Sequence, residues 1–255
     1  MYVPVEEDGS RPLKTISIIQ ARMCSSRLPG KVLKDLGGST VLSRVVRRVG
    51  RANLLDEIVI ATSEADADVP IILECQRLGV ASFRGSENDV LDRYYRAARE
   101  YAADVIVRIT SDCPLIDPKI VDKTIKSFQD VKADYASNVF PRTFPRGLDT
   151  EVFTVAALEH AWRNAGQTYQ REHVTPHIYE HPELFRLISV RGRGDYSRYR
   201  WTLDTPEDLE LIRAIYSGFD NHDDFNWRQA VAFMERKPAL FQLNCDIVQK
   251  AIYSN

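Results

Sequence analysis

Three cations, two hydroxyls and a Pro-Gly pair fall within one short segment, Gln20-Ala21-Arg22-Met23-Cys24-Ser25-Ser26-Arg27-Leu28-Pro29-Gly30-Lys31. Arg22 and Arg27 can fork onto phosphate oxygens and Lys31 offers a point charge, while Pro29-Gly30 lets backbone amides come close; together these suit a polyphosphate. The segment is not a P-loop, because Val32 follows Lys31 and Ser25 stands where the first glycine would be. A solvated basic loop is the bland alternative.

Two aspartates stand near the same place in the expected fold. Asp112 lies just past an apolar run and Asp204 follows Trp201-Thr202-Leu203. Hard cations such as Mg²⁺ take few protein carboxylates and fill their remaining positions with water and phosphate oxygens, so the pair suggests a metal. A turn role before Pro114 for Asp112, and a position ahead of a helix N-terminus for Asp204, remain open on the residues alone. Asp66-Ala67-Asp68 reads as helix capping. Farther on, Asp149 and Glu151 share a strand face at i and i+2, and Arg171-Glu172-His173 heads a histidine-rich segment; these suit a polyhydroxylated or anionic acceptor. His173, His177 and His181 have helical spacing, but Pro176 and Pro182 interrupt it, which argues against zinc.

The elements that position these groups alternate. Thr15–Gln20 is a β-branched buried strand, the apolar spacing of Leu42, Val45, Val46 and Val49 is helical, and Glu57–Thr62 is a second strand. Helices over 68–78 (ending at Gly79) and 90–101 and strands over 80–83 and 104–110 follow, and Asp117-Pro118 opens a helix to about Phe128. The stretch 134–146 reads as irregular. After it come a strand over 150–153, a helix over 155–164, a strand over 185–190, a Gly/Arg loop over 191–198, and a strand over 201–203. Thr205-Pro206 then starts a helix with threonine as N-cap, and 225–243 reads as helical around Pro238. The expected fold is α/β, a Rossmann-like, mostly parallel mixed sheet flanked by helices, with an inserted substrate or dimerisation region in the second half. We expect one domain over 1–255, its core about 15–217 and 218–255 a C-terminal helical extension.

The 255 residues carry 34 Lys+Arg against 36 Asp+Glu, a net charge of −2, which argues against a dedicated nucleic-acid binder. The four cysteines lack the close spacing of a zinc knuckle or redox dithiol and read as reduced thiols. No apolar run suggests a secretory signal or a membrane span, so a cytoplasmic setting is expected.

The Q-A-R-x-x-S-S-R-L-P-G-K segment closely resembles the signature loop of the cytidylyltransferases related to spore coat polysaccharide biosynthesis protein F. These are themselves similar to CMP-3-deoxy-manno-octulosonate and CMP-acylneuraminate synthetases. Three further segments fit in the same order: Arg84–Tyr94, Arg108–Asp117 and Trp201–Leu209. The resemblance implies that Gln20, Ala21, Arg22, Ser25, Ser26, Arg27 and Lys31 bind nucleotide. It extends that role to Arg84, Gly85, Ser86 and Arg93, and to Arg108, Thr110, Ser111 and Asp112. It also implies that Asp112 and Asp204 hold Mg²⁺, and, more weakly, that Asp149, Glu151, Arg171, Glu172 and His173 serve the acceptor. Arg22, Arg27 and Lys31 become the catalytic cations. The expected reaction transfers CMP from CTP to an acidic sugar or sugar phosphate with release of pyrophosphate, in cell-surface polysaccharide biosynthesis. A homodimer touching through residues 150–195 is the implied assembly. A metal-dependent glycosyltransferase and a non-catalytic nucleotide-binding protein are the alternatives.

Overall fold

The apolar run Thr15–Gln20 forms β1, buried at the centre of a seven-stranded sheet. In the computed structural model, which describes residues 12–249, β1 pairs in parallel with β2 (Glu57–Ser63) and β4 (Val105–Thr110), and β2 pairs in parallel with β3 (Ala81–Gly85). Beyond β4 the sheet becomes mixed. There β6 (Glu151–Thr154) runs antiparallel to β4 and to β5 (Tyr135–Ser137), and β5 pairs in parallel with β7 (Leu187–Ser189). The order is β3-β2-β1-β4-β6-β5-β7.

Side chains alternate across this sheet and so fill two cores. Ile19, Val105, Val107 and Ile109 pack against α1 (Val41–Val49), α2 (Val69–Leu78) and α4 (Pro118–Asp130). Ile16, Ile18, Ile106 and Phe153 pack against α3 (Val90–Glu100) and α5 (Val155–Asn164) on the other face. The expected helix punctuation is present. Gly79 ends α2 at φ 65°, and Thr205 caps α8 (Pro206–Ser217) in a box with Asp208. A third core joins Trp201 and Leu203 to α8 and to α9 (Trp227–Arg236), with the short α10 (Ala239–Gln242) at its edge.

Two expectations need correction. The irregular stretch 134–146 contains the three-residue strand β5, too short for an apolar period to show. Trp201–Leu203 is not a strand. Its amides are divided between loops, Trp201 N–H donating to Arg146 O at 2.7 Å and Leu203 N–H to Asp112 O at 2.8 Å, so no ladder forms. The buried segment still brings Asp204 beside Asp112.

Candidate active site

The loop after β1 closes on itself before it offers any charge. Gly30 N–H donates to Met23 O at 2.9 Å with Gly30 at φ 65°, and Met23 N–H donates to the Asp68 carboxylate at 2.7 Å. Asp68 is therefore not the helix cap its sequence suggested. It caps nothing with its side chain, and its buried carboxylate takes Met23, Ser63 and Thr62, tying the loop to the end of β2. Burial opposes the Asp68 charge, but these hydrogen bonds outweigh it and hold the carboxyl below its ordinary range.

On this frame lies a cleft of about 900 Å³ at the C-terminal edge of the parallel strands, where open α/β sheets bind ligands. Of the expected nucleotide-side residues, Gln20, Ala21, Arg22, Ser25, Ser26 and Arg27 line it. Lys31, Arg93, Arg108, Thr110, Ser111 and Asp112 line it as well. Arg84, Gly85 and Ser86 do not. Arg84 donates to the carbonyls of Ser63, Glu64 and Ala65, and Ser86 Oγ accepts from Asp89 N–H, so both shape the turn. Gly85 lets Arg93 approach, since a Cβ there would lie 3.2 Å from Arg93 Cγ.

Lys31 is fully engaged. Its ammonium donates to Asp112 Oδ2, Asp204 Oδ1 and Leu203 O, each at 2.8 Å. Burial works against the Lys31 charge, yet the two carboxylates outweigh it and raise its pKa. Burial likewise opposes the Asp112 charge, and Lys31 with Thr110 Oγ1, which donates at 2.6 Å, holds it low. Asp204 Oδ2 accepts from Arg27 at 3.0 Å and Arg200 at 2.9 Å.

The remaining cations divide into paired and free. Arg108 pairs with Glu151 and donates to Gln20 Oε1 at 3.1 Å, while Glu151 also accepts from Tyr135 OH and Thr175 Oγ1. Arg142 forks onto Asp149. Arg22 is exposed in the cleft without an ion pair among the described residues. Arg93 is 2% exposed, and its Nε and Nη1 have no partner. Burial lowers its pKa and nearby Arg22 lowers it further, with Tyr94 and Asp68 opposing. A buried guanidinium left unsatisfied beside a second cation is costly until an anion arrives.

Of the residues expected to serve an acceptor, Asp149, Glu151, Glu172 and His173 line the cleft and Arg171 does not. Its guanidinium forks onto Asp89, the N-cap of α3, and reaches Trp162 O. The histidines part ways. α6 (Thr168–His173) ends before Val174 at φ 73°, and α7 (Pro176–Tyr179) starts anew, so His173 faces the cleft while His177 stacks with His181 and His160. Sequence reasoning missed Phe140, Arg142, Arg146 and Tyr179, all in the lining. Two prolines around Arg142 and Arg146 marked the stretch as irregular, and that was the only signal.

Comparison with known proteins places these features in context. A family model described as cytidylyltransferase matches residues 16–244. An uncharacterized protein of Methanocaldococcus jannaschii is 41% identical over 241 residues, spanning 94% of this chain and 98% of its own. Spore coat polysaccharide biosynthesis protein SpsF of Bacillus subtilis is 36% identical over 228 residues, 87% of this chain and 94% of its own. Among solved structures, a cytidylyltransferase from Leptospira borgpetersenii superposes with a TM-score of 0.87 at 35% identity, covering 94% of this chain and all of its own.

Proposed function

The chain belongs to the cytidylyltransferase family and is thus a CTP-dependent nucleotidyltransferase; from that premise we propose that it transfers CMP to an acidic sugar or sugar phosphate. An acceptor oxygen bonds to the α-phosphorus of CTP, the bond from that phosphorus to the bridging oxygen of the β-phosphate breaks, and pyrophosphate leaves. A hydroxyl acceptor releases its proton as the new bond forms. The observation that carries this reading is the unpartnered pair Arg22 and Arg93, facing the cleft next to the Asp112 and Asp204 carboxylates.

These residues divide the work by charge and position. Arg22 and Arg93 neutralise the triphosphate, and Arg27, already held by Asp204, stands where negative charge grows on the leaving pyrophosphate. Ser25 and Ser26 add hydroxyl donors, and the hydrogen bonds that close the loop hold its backbone before CTP arrives, so less reorganisation is needed.

Asp112 and Asp204 fit Mg²⁺. They are hard oxygen donors on converging loops that already share one cation, the Lys31 ammonium. When bound, the metal supplies Lewis-acid charge to phosphate oxygens. Asp112 and Asp204 would hold the metal, and Lys31, between these two carboxylates in the lining of the same cleft, would add its own positive charge beside the triphosphate.

Glu151, Asp149, Glu172 and His173 form the acceptor side. Following the name of the Bacillus relative, we place the reaction in cell-surface polysaccharide assembly, in a cytoplasmic homodimer joined through residues 150–195. No helix among the described residues is long and apolar enough to cross a membrane.

The test is pyrophosphate release with Mg²⁺ and each of CTP, UTP, ATP and GTP across a panel of acidic sugars and sugar phosphates, with Asp112→Ala as blank. Release that requires CTP and one acceptor supports the reading. Consumption of an intact sugar nucleotide without pyrophosphate would replace it with glycosyl transfer.

A further inference from the structure

A side pocket of about 220 Å³ opens beside the cleft, and Arg146, Ser197 and Gln249 line both cavities. Two of the three arginines that line it have side-chain partners. Arg200 is taken by Asp204, Asp208 and Gln249, and Arg198 by Tyr199 and Glu235. Arg146 is half-buried and makes no side-chain hydrogen bond or ion pair among the described residues.

The main chain that carries this cation is pinned. Arg146 N–H donates to Tyr199 O at 2.9 Å, and Arg146 O accepts from Trp201 N–H at 2.7 Å. Gly147, at φ 103°, makes the approach possible, because a Cβ there would sit 2.6 Å from Trp201 O. The electrostatics leave the site short of negative charge. Burial, then Arg142 and Arg200, pull the Arg146 pKa down, and Asp149, which opposes them, is already forked to Arg142. A half-buried guanidinium among cations, on a backbone pinned at both its N–H and its carbonyl, gains most from an oxyanion.

The pocket also adjoins the reacting centre. Arg200 in its wall donates to Asp204 Oδ2 at 2.9 Å. We propose that this side pocket is the subsite for the acceptor's acid group, a carboxylate or a phosphate held by Arg146, while the acceptor's reacting oxygen stands at the Asp112–Asp204 pair. The proposal rests on the transfer reading above and deepens it. Cys245, Ile247 and Gln249 of the pocket wall lie beyond residue 244, where the family match ends.

The test is calorimetric. The full chain is saturated with a CTP analogue carrying a methylene between the α- and β-phosphates, then titrated with 3-deoxy-manno-octulosonate, glucose 1-phosphate or glucose. We expect one of the two oxyanion probes to bind better than glucose, and which one it is separates carboxylate from phosphate. Arg146→Gln should weaken that probe about tenfold to a hundredfold, Arg146→Lys should recover part of the loss, and affinity for the CTP analogue should stay the same. Equal probe binding by wild type and Arg146→Gln, or no advantage of either oxyanion over glucose, overturns the subsite. Failure of the wild type to bind the CTP analogue is distinguishable from both, since it defeats the nucleotide reading and takes the subsite with it.

Discussion

The two ends of the cleft solve the same problem in opposite ways. At the loop after β1, the backbone is closed by its own hydrogen bonds, and Arg22 of the loop and Arg93 of α3 have no ion-pair partner among the described residues. At the end proposed for the acceptor the charges are neutralised in advance, Arg108 on Glu151 and Arg142 on Asp149, and Arg146 has no side-chain partner among the described residues. On the proposed reading the first end receives several negative charges, as on a triphosphate. On the proposed reading the second takes hydroxyls and one acid group, because paired ions still accept and donate hydrogen bonds without attracting net charge. Lys31 bridges Asp112 and Asp204 where the two ends meet.

Substitutions should break the two ends differently. Asp112→Asn and Asp204→Asn, at the junction, should each lower kcat roughly a hundredfold to a thousandfold with the melting temperature little changed; near-normal turnover in both would remove the carboxylates from the chemistry. Arg93→Gln strikes only the nucleotide end and should weaken CTP binding about tenfold to a hundredfold in a direct titration, leaving acceptor affinity as it was. If CTP affinity did not change, Arg93 would be a structural cation.

Two thiols report the ends separately. Cys24 is exposed in the loop after β1 and Cys245 lines the side pocket. CTP should slow iodoacetamide labelling of Cys24 but not of Cys245, as read by peptide mass spectrometry, and protection of both would erase the distinction. Burial pushes the Cys75 thiol up to about 12 and that of Cys113 well above its ordinary range, so both should stay unlabelled at neutral pH.

The smallest effect is in stability. The Lys31 pKa is raised, so its contribution is complete below the unfolded lysine value of about 10.4 and is lost as pH rises through the higher folded value. The Asp112 pKa is lowered, so its contribution is present above about 3.9 and is lost as pH falls through the folded value. Urea midpoints of wild type and Lys31→Met should therefore differ by a constant between these limits and converge outside them. Parallel curves throughout would mean that the bridge adds nothing to folding.

The same contrast explains what was legible in the sequence. β1 and the loop after it are contiguous, so the strand is read at its true bounds, Thr15–Gln20, and Arg22, Arg27 and Lys31 are found together. Arg84 is expected at the site because it heads a motif segment and Arg171 because it heads the histidine-rich segment, but such charges also hold turns and pair with helix caps, and these two bind backbone carbonyls and Asp89. The acceptor end is gathered from Phe140, Arg146, Glu151, Ser197 and Gln249, which no single period or spacing connects. Trp201–Leu203 looked like a strand because it is apolar and extended, and only tertiary pairing shows that its partners are loops.

The most direct test of CMP transfer follows two labels through one turnover. CTP carrying ³²P at the α-phosphate or at the γ-phosphate is incubated with the protein, Mg²⁺ and the acceptor that supports pyrophosphate release. The account predicts that the α-label appears in the acceptor product and the γ-label in pyrophosphate. A γ-label on the acceptor, with the α-label left in CDP, would show phosphoryl transfer and contradict it.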